Sequence, residues 1–289
     1  MRNKRASTLK LGKYIKKKRR KTLFSILISF VLIILFLIIA LLALRLPFFQ
    51  IKSITVNGVV TIDEKDLEKS VNETLLGNYY YIIPRTNFLF YPKGEILNIL
   101  ISKYKKINSI NSHVSGLSNL DIILVERIPE VLVCEGFIDD ISDSDNQCFV
   151  ADKHGYIFEK ESDNPDLFKY YVNANTSSTT IGNNFTDIEK FYALQKFVED
   201  VRSYGIIPIG IMIGEDGSYE MYIVNKDQST GVVYFDDRVP FDMTSSNLAV
   251  FWNNFMGNTV DIKLMPNFEY INLRFGNNVF YLIRDNGGK

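Results

Sequence analysis

The most uneven feature of the chain is one apolar block. Leu23 to Leu44 runs for 22 residues without a charge, and Ser25 and Ser29 are its only polar side chains. As a helix it would be about 33 Å long at about 1.5 Å per residue, against a hydrocarbon core of about 30 Å. After Pro47 the pattern changes to short alternations and helical stripes. Ile54 and Val56 alternate with Ser53 and Thr55 ahead of the turn pair Asn57-Gly58, which predicts a strand and a turn. Thr61-Ile-Asp-Glu64 has the spacing of a capping box. The helix it would open carries Leu67, Val71 and Leu75 on one face, turns Lys65, Glu68, Lys69 and Glu73 outward, and stops at Gly77. An aromatic patch follows from Tyr79 to Tyr91. Pro92 then sits near the start of a second helix, with Ile96, Leu97, Leu100 and Ile101 as its stripe. Two strands close the region, Ile107–Val114 and Leu120–Glu126. The second places Leu120, Ile122 and Leu124 on one face and Ile123 and Val125 on the other. The order strand, helix, helix, strand, strand over residues 50–128 predicts a small α+β unit, with two helices on one face of a three-stranded sheet.

The remaining pattern predicts a mostly antiparallel β domain carrying two helices. Strands are expected at Glu130–Glu135, Phe168–Val172, Ile206–Ile213, Tyr219–Val224 and Val232–Phe235, with an acidic loop at Asp139–Asn146. A helix from Asp187 to Tyr204 turns Ile188, Phe191, Tyr192, Leu194, Val198 and Val201 inward. A second, Met243–Met256, turns in Leu248, Trp252 and Phe255. Glu269–Phe275 and Val279–Arg284 form a closing hairpin about Gly276-Asn277-Asn278. Val279–Arg284 lies at the chain end, where an edge strand with unpaired backbone groups is expected. Alternation puts Phe280 and Leu282 on one face and Val279, Tyr281 and Ile283 on the other. The phenol of Tyr281 marks its face as the wetter one.

Charge changes this picture in one place. Lys+Arg and Asp+Glu are both 33, but residues 1–22 hold eleven of the bases and no acid, which leaves the rest of the chain at a net of −11. Basic flanks stay in the cytoplasm, so the apolar block reads as a signal anchor with residues 46–289 outside. The competing reading, a cleaved signal peptide, is disfavoured by the length of the block and by the spacing of Ala40 and Ala43. The basic head fits topology determination and attraction to anionic lipid, or a cytoplasmic docking tail. Formal neutrality argues against a nucleic-acid partner.

Candidate chemistry is sparse. Ser102-Lys-Tyr-Lys105 matches S-x-x-K but lacks the motifs that accompany it in serine acyl enzymes. No G-x-S-x-G, Walker A loop or G-x-G-x-x-G occurs, and His113 and His154 have no acid or cysteine motif beside them. No catalytic residue, metal site or cofactor is therefore expected. Cys134 and Cys148 sit on two predicted strands joined by thirteen residues. Two readings fit them: a disulfide across the pair, suited to a location outside the cytoplasm, or two small apolar core residues.

Taken in order behind one anchor, several of these segments resemble the FtsQ/DivIB cell-division family. They are Ile54-Thr-Val-Asn-Gly58; Leu120-Asp-Ile-Ile-Leu-Val-Glu-Arg-Ile-Pro129; Cys148-Phe-Val-Ala-Asp-Lys-His-Gly-Tyr-Ile-Phe158; and Phe268-Glu-Tyr-Ile-Asn-Leu-Arg-Phe-Gly-Asn-Asn-Val-Phe-Tyr281. Asn272 departs from the family's usual aspartate, and residues 160–185 match nothing clearly. The resemblance implies a basic tail (1–22), a transmembrane helix (23–45), a POTRA-type βααββ domain (49–128), an FtsQ-type β domain (129–284) and a flexible tail (285–289). It further implies a non-enzymatic, single-pass scaffold at the division septum. Its partners would be FtsB/DivIC-like and FtsL-like coiled-coil membrane proteins, with FtsK-like and septal synthase proteins as further candidates. Carried onto this sequence, partner binding falls on Arg274, Phe275, Val279, Phe280 and Tyr281. An envelope-polymer enzyme and a POTRA-bearing transport component are the alternatives.

Overall fold

The computed structural model describes residues 4–116, 118–136, 147–161, 166–172, 179–256 and 266–284. The expected acidic loop at 139–146 and the tail at 285–289 lie outside the described residues, as does part of the 160–185 stretch. The protein is mixed α+β and divides into two compact units, Met1–Glu126 and Arg127–Lys289.

Helix α1 (Lys4–Ala43) opens the first unit. Its Arg19–Ala43 stretch contains an 18-residue window with a mean hydropathy of 3.5 and is long enough to cross a membrane, a property that anchors and signal sequences share. A short 3-10 turn at Pro47–Phe49 follows. The unit continues as β1 (Ser53–Asn57), α2 (Glu64–Leu75), β2 (Asn78–Tyr79), β3 (Ile83–Pro84), α3 (Lys93–Lys103), β4 (Ile107–Ser115) and β5 (Asn119–Glu126). The sheet order is β1-β5-β4, with β1 parallel and β4 antiparallel to the central β5. Leu120, Ile122 and Leu124 of β5 are buried against Leu67, Val71 and Leu75 of α2 and Ile96 and Leu100 of α3. Ile123 and Val125 face solvent on the side the helices leave bare. The expected α3 stripe is narrower than its pattern, because Ile101 is exposed.

One local expectation is overturned here. The helix cap is Asp63, whose carboxylate accepts from the Lys65 amide at 2.9 Å, and not Thr61. Thr61 is engaged elsewhere. Glu126, at the end of β5, accepts from the amides of Val60 (2.7 Å), Thr61 (3.0 Å) and Ile62 (3.1 Å), and from the Thr61 hydroxyl. Partial burial raises the pKa of Glu126, but these donors outweigh it and hold the carboxylate at about 2. The Asn57-Gly58 turn does need its glycine. Gly58 has φ +88°, and a Cβ there would lie 2.0 Å from the Leu124 carbonyl oxygen.

β2 and β3 make a miniature hairpin inside the aromatic patch, with Asn78 opposite Pro84 and Tyr79 opposite Ile83. The Ile82 amide donates to the Tyr79 carbonyl at 2.9 Å, and the residues between, Tyr80 and Tyr81, have φ +47° and +60°. Positive φ at both central positions is what a type I′ turn demands, and Asn-Gly is its usual solution. Two tyrosines there cost about 1–2 kcal/mol each in backbone strain.

The second unit contains β6 (Val131–Glu135), β7 (Cys148–Ala151), β8 (Ile157–Lys160), β9 (Phe168–Val172), α4 (Ile188–Ser203), β10 (Ile207–Ile213), β11 (Ser218–Val224), β12 (Thr230–Asp236), α5 (Phe241–Met256), β13 (Phe268–Phe275) and β14 (Asn278–Ile283). These strands form one sheet in the order β14-β13-β12-β11-β10-β9-β6-β7-β8. The pairings β12–β13, β9–β10 and β6–β9 are parallel and the other five antiparallel, a mostly antiparallel sheet. Helices α4 and α5 bury Phe191, Leu194, Phe197, Val201, Leu248 and Trp252 against it. Asp187 caps α4, accepting from the Glu189 amide at 2.9 Å. Ile188 and Tyr192, expected inward, are exposed, and Phe197 takes the buried position instead. The Tyr192 hydroxyl contacts His154 Nδ1.

Cys134 and Cys148 stand directly opposite one another on β6 and β7 and are joined by a disulfide. The bridge lies on the sheet face turned away from the helices, in a small core with Leu132, Val150, Phe158, Tyr171 and Met212. Arg127, the first residue of this unit, pairs with Asp152 and lies over the Tyr156 ring, 3.9 Å from its centroid. Adjacent residues at the junction are thus fixed separately: Glu126 within the first unit and Arg127 within the second.

Candidate partner-binding edge

β14 is the last strand of the nine-stranded sheet. Its inner side pairs with β13 from Phe268↔Ile283 to Phe275↔Asn278, and no described strand pairs with its outer side. The hairpin turns at Gly276, φ +61°. Register shifts interrupt the ladder between Phe268 and Tyr270 and between Asn272 and Phe275. The second shift explains a local oddity. Strict alternation would send Arg274 and Phe275 to opposite faces, yet both line one hollow, because the irregularity re-aims one side chain.

That hollow is on the face away from α5. It is lined by Tyr234 of β12, Tyr270, Asn272, Arg274 and Phe275 of β13, and Phe280 of β14. Phe275 and Phe280 meet edge to face at 5.1 Å and are 55% and 53% exposed. The Arg274 guanidinium lies over the Tyr234 ring at 5.0 Å, and its Nε donates to Asn272 Oδ1 at 3.1 Å. The Arg274 amide donates to the same oxygen at 3.2 Å. Asn272 therefore orients the arginine without contributing a negative charge. At the end of β12, burial opposes ionisation of Asp236, but its bonds to Arg238 prevail and hold it below the usual carboxylate range, with Arg274 adding to the effect.

The structure divides the five expected residues between two faces. Arg274, Phe275 and Phe280 come together around the hollow. Val279 and Tyr281 are on the other face: Val279 packs on the main core, and the Tyr281 ring sits 5.1 Å from Phe251 and 5.5 Å from Phe255 of α5. The expectation that the face of Tyr281 is the wetter one is overturned. Helix α5 packs against that face, although Tyr281 stays 44% exposed; the more open face belongs to Phe280 at 53%. Three contributors lie outside the expected set. Tyr270 and Asn272 are readable in the sequence, since Tyr270, Asn272 and Arg274 follow the two-residue period of a strand. Tyr234 is not, because it reaches the site through the parallel register Tyr234↔Asn272.

A second, polar hollow in this unit includes Lys190, Glu215, Asp216, Tyr219 and Asp237. Asp237 accepts from Lys190 Nζ at 2.6 Å and from the Tyr219 hydroxyl at 2.8 Å. Burial and this carboxylate raise the pKa of Tyr219 and keep it protonated. The arrangement pairs a cation, a carboxylate and a neutral phenol; it holds loops together and presents no activated nucleophile. Among the described residues, no three His, Cys, Asp or Glu side chains gather to hold a metal ion.

The chain matches no family model, and no curated protein matches it.

Proposed function

We propose that the protein is a membrane-anchored, non-enzymatic scaffold that captures another protein chain at the β14 edge. The observation that carries this reading is the coincidence, at the same end of the sheet, of an outer strand side that no described strand pairs and an open arginine–aromatic face. An edge strand offers backbone donors and acceptors in line, and exposed Phe275 and Phe280 supply apolar area. Arg274, oriented but not neutralised by Asn272, suits an acidic residue on the partner. The order β1-β5-β4 under two helices supports a POTRA-type reading of the first unit. The paired cysteines suit an extracytoplasmic location for the second. Together with the resemblance in motif order, these features favour a divisome scaffold of FtsQ/DivIB type at the septum, with its N-terminus cytoplasmic. DivIC/FtsB-like and FtsL-like coiled-coil proteins are the partners.

The test is co-purification of the full chain with the DivIC/FtsB-like and FtsL-like proteins of the same cell, repeated with Arg274→Glu and Phe280→Ala. Recovery by the parent chain and loss in both variants is the expected result. Equal recovery by all three would remove the edge from the mechanism. Absence of these partners from the parent would remove the divisome reading.

A further inference from the structure

The Tyr79–Ile82 turn of the first unit has no place in partner capture at β14, and its chemistry is unusual for a loop tip. Tyr80 and Tyr81 are 91% and 92% exposed. They occupy positions where Gly or Asn would relieve the backbone, so their side chains are kept at the expense of local strain. The turn is also tied to the end of the apolar helix. Arg45, one residue beyond the block, donates from Nε to the Ile82 carbonyl (2.8 Å) and from Nη2 to the Tyr81 carbonyl (2.7 Å). Asn87 Nδ2 and Gln50 Nε2 donate to the Leu44 carbonyl at 2.8 and 3.0 Å, which fastens the next loop to the same helix end. Exposed Leu46 and Phe48 lie immediately after it in sequence.

We infer that the Tyr80-Tyr81 turn is a second membrane contact, inserted at the headgroup level of the bilayer that α1 spans. Tyrosine suits that depth, with an apolar ring for the acyl boundary and a hydroxyl for the water side. The Tyr81 and Ile82 carbonyls already have donors in Arg45, so the turn enters a less hydrated layer without leaving these two unpaired. A protein partner would find no strand edge at this turn, since each arm of the hairpin is only two residues long. The lipid interface is the occupant that the neighbouring span places beside it. The inference rests on α1 being a membrane anchor.

The experiment uses the full chain in phosphatidylcholine–phosphatidylglycerol vesicles, under non-reducing conditions that keep the Cys134–Cys148 bridge. A nitroxide is attached at Tyr81→Cys or, independently, at Tyr80→Cys, so that a fold lost at one position leaves the other. Leu37→Cys, within the span, serves as the lipid reference. Collision rates with oxygen and with a water-soluble nickel reagent are compared with those of free label in buffer. The expected result is a several-fold rise in the oxygen-to-nickel ratio at both tyrosine positions over free label, with a larger rise at Leu37. A buffer-like ratio at the turn with a lipid-like ratio at Leu37 would overturn the inference and leave the turn as a surface for protein. A buffer-like ratio at Leu37 would overturn the anchor and the inference together.

Discussion

Two regions expose aromatic side chains, and they do it by opposite means. At β14, Phe275 and Phe280 stand on strands without positive φ, beside a backbone edge that no described strand pairs and an oriented arginine. At the Tyr79–Ile82 turn, two tyrosines stand on a strained backbone, and the Tyr81 and Ile82 carbonyls are taken by Arg45. Exposed aromatic area alone does not distinguish a protein surface from a lipid one. What accompanies it does: open hydrogen-bonding groups call for another chain, and satisfied ones tolerate a poorly hydrated layer.

Four outcomes would break or sharpen this contrast. The largest is at the edge. Combining Arg274→Glu with Phe280→Ala should weaken partner binding by about 100-fold or more, the scale of paired hot-spot losses. In the same titration, Tyr80→Asn with Tyr81→Gly should bind as the parent does. Next is the disulfide, which closes a loop with a sequence separation of 14. Reduction should lower the stability of the second unit by about 3 kcal/mol and leave the first unchanged. Denaturant titration followed by Trp252 reads the second unit alone, since it is the only tryptophan and is buried there.

A smaller effect distinguishes the first unit. Glu126→Gln removes the charge that accepts four donors and should cost about 1–2 kcal/mol. The folded-state pKa of Glu126 lies below its ordinary value, so its contribution is full above about pH 4.5 and is lost as pH falls toward 2. Amide exchange in β5 should follow that fall in the parent and stay flatter in the variant. The smallest change has the opposite sign. Tyr80→Asn with Tyr81→Gly should stabilise the first unit by about 1 kcal/mol in detergent, because it relieves the left-handed strain. A destabilised double variant would mean that the tyrosines are held by packing and not kept for an external contact.

Much of this was legible in the sequence where one face is buried and the other polar. Leu120, Ile122 and Leu124 follow that rule, and so do Leu67, Val71 and Leu75. Legibility fails where both faces are apolar. The alternation in β14 separates Phe280 from Tyr281, but only the position of α5 determines which of them packs on a helix. It fails again where a distant group takes over a local one. Thr61 has a capping-box partner three residues away, yet its amide and hydroxyl go to Glu126, 65 residues along the chain. Tyr234 enters the hollow only through parallel pairing, which no local window contains.

The parallel pairing of β1 with β5 also sets an order in time. Ser53 and Asn119 are partners 66 residues apart, and β5 is the central strand on which both β1 and β4 depend. A chain emerging N-terminus first can form α2 and α3 as it appears, but β1 has no neighbour until β5 follows. Closing so long a loop is slow compared with forming a helix or hairpin. The first folded body therefore completes only when the junction at Glu126 and Arg127 has emerged, and the carboxylate that fastens residues 60–62 is the last of its residues to arrive.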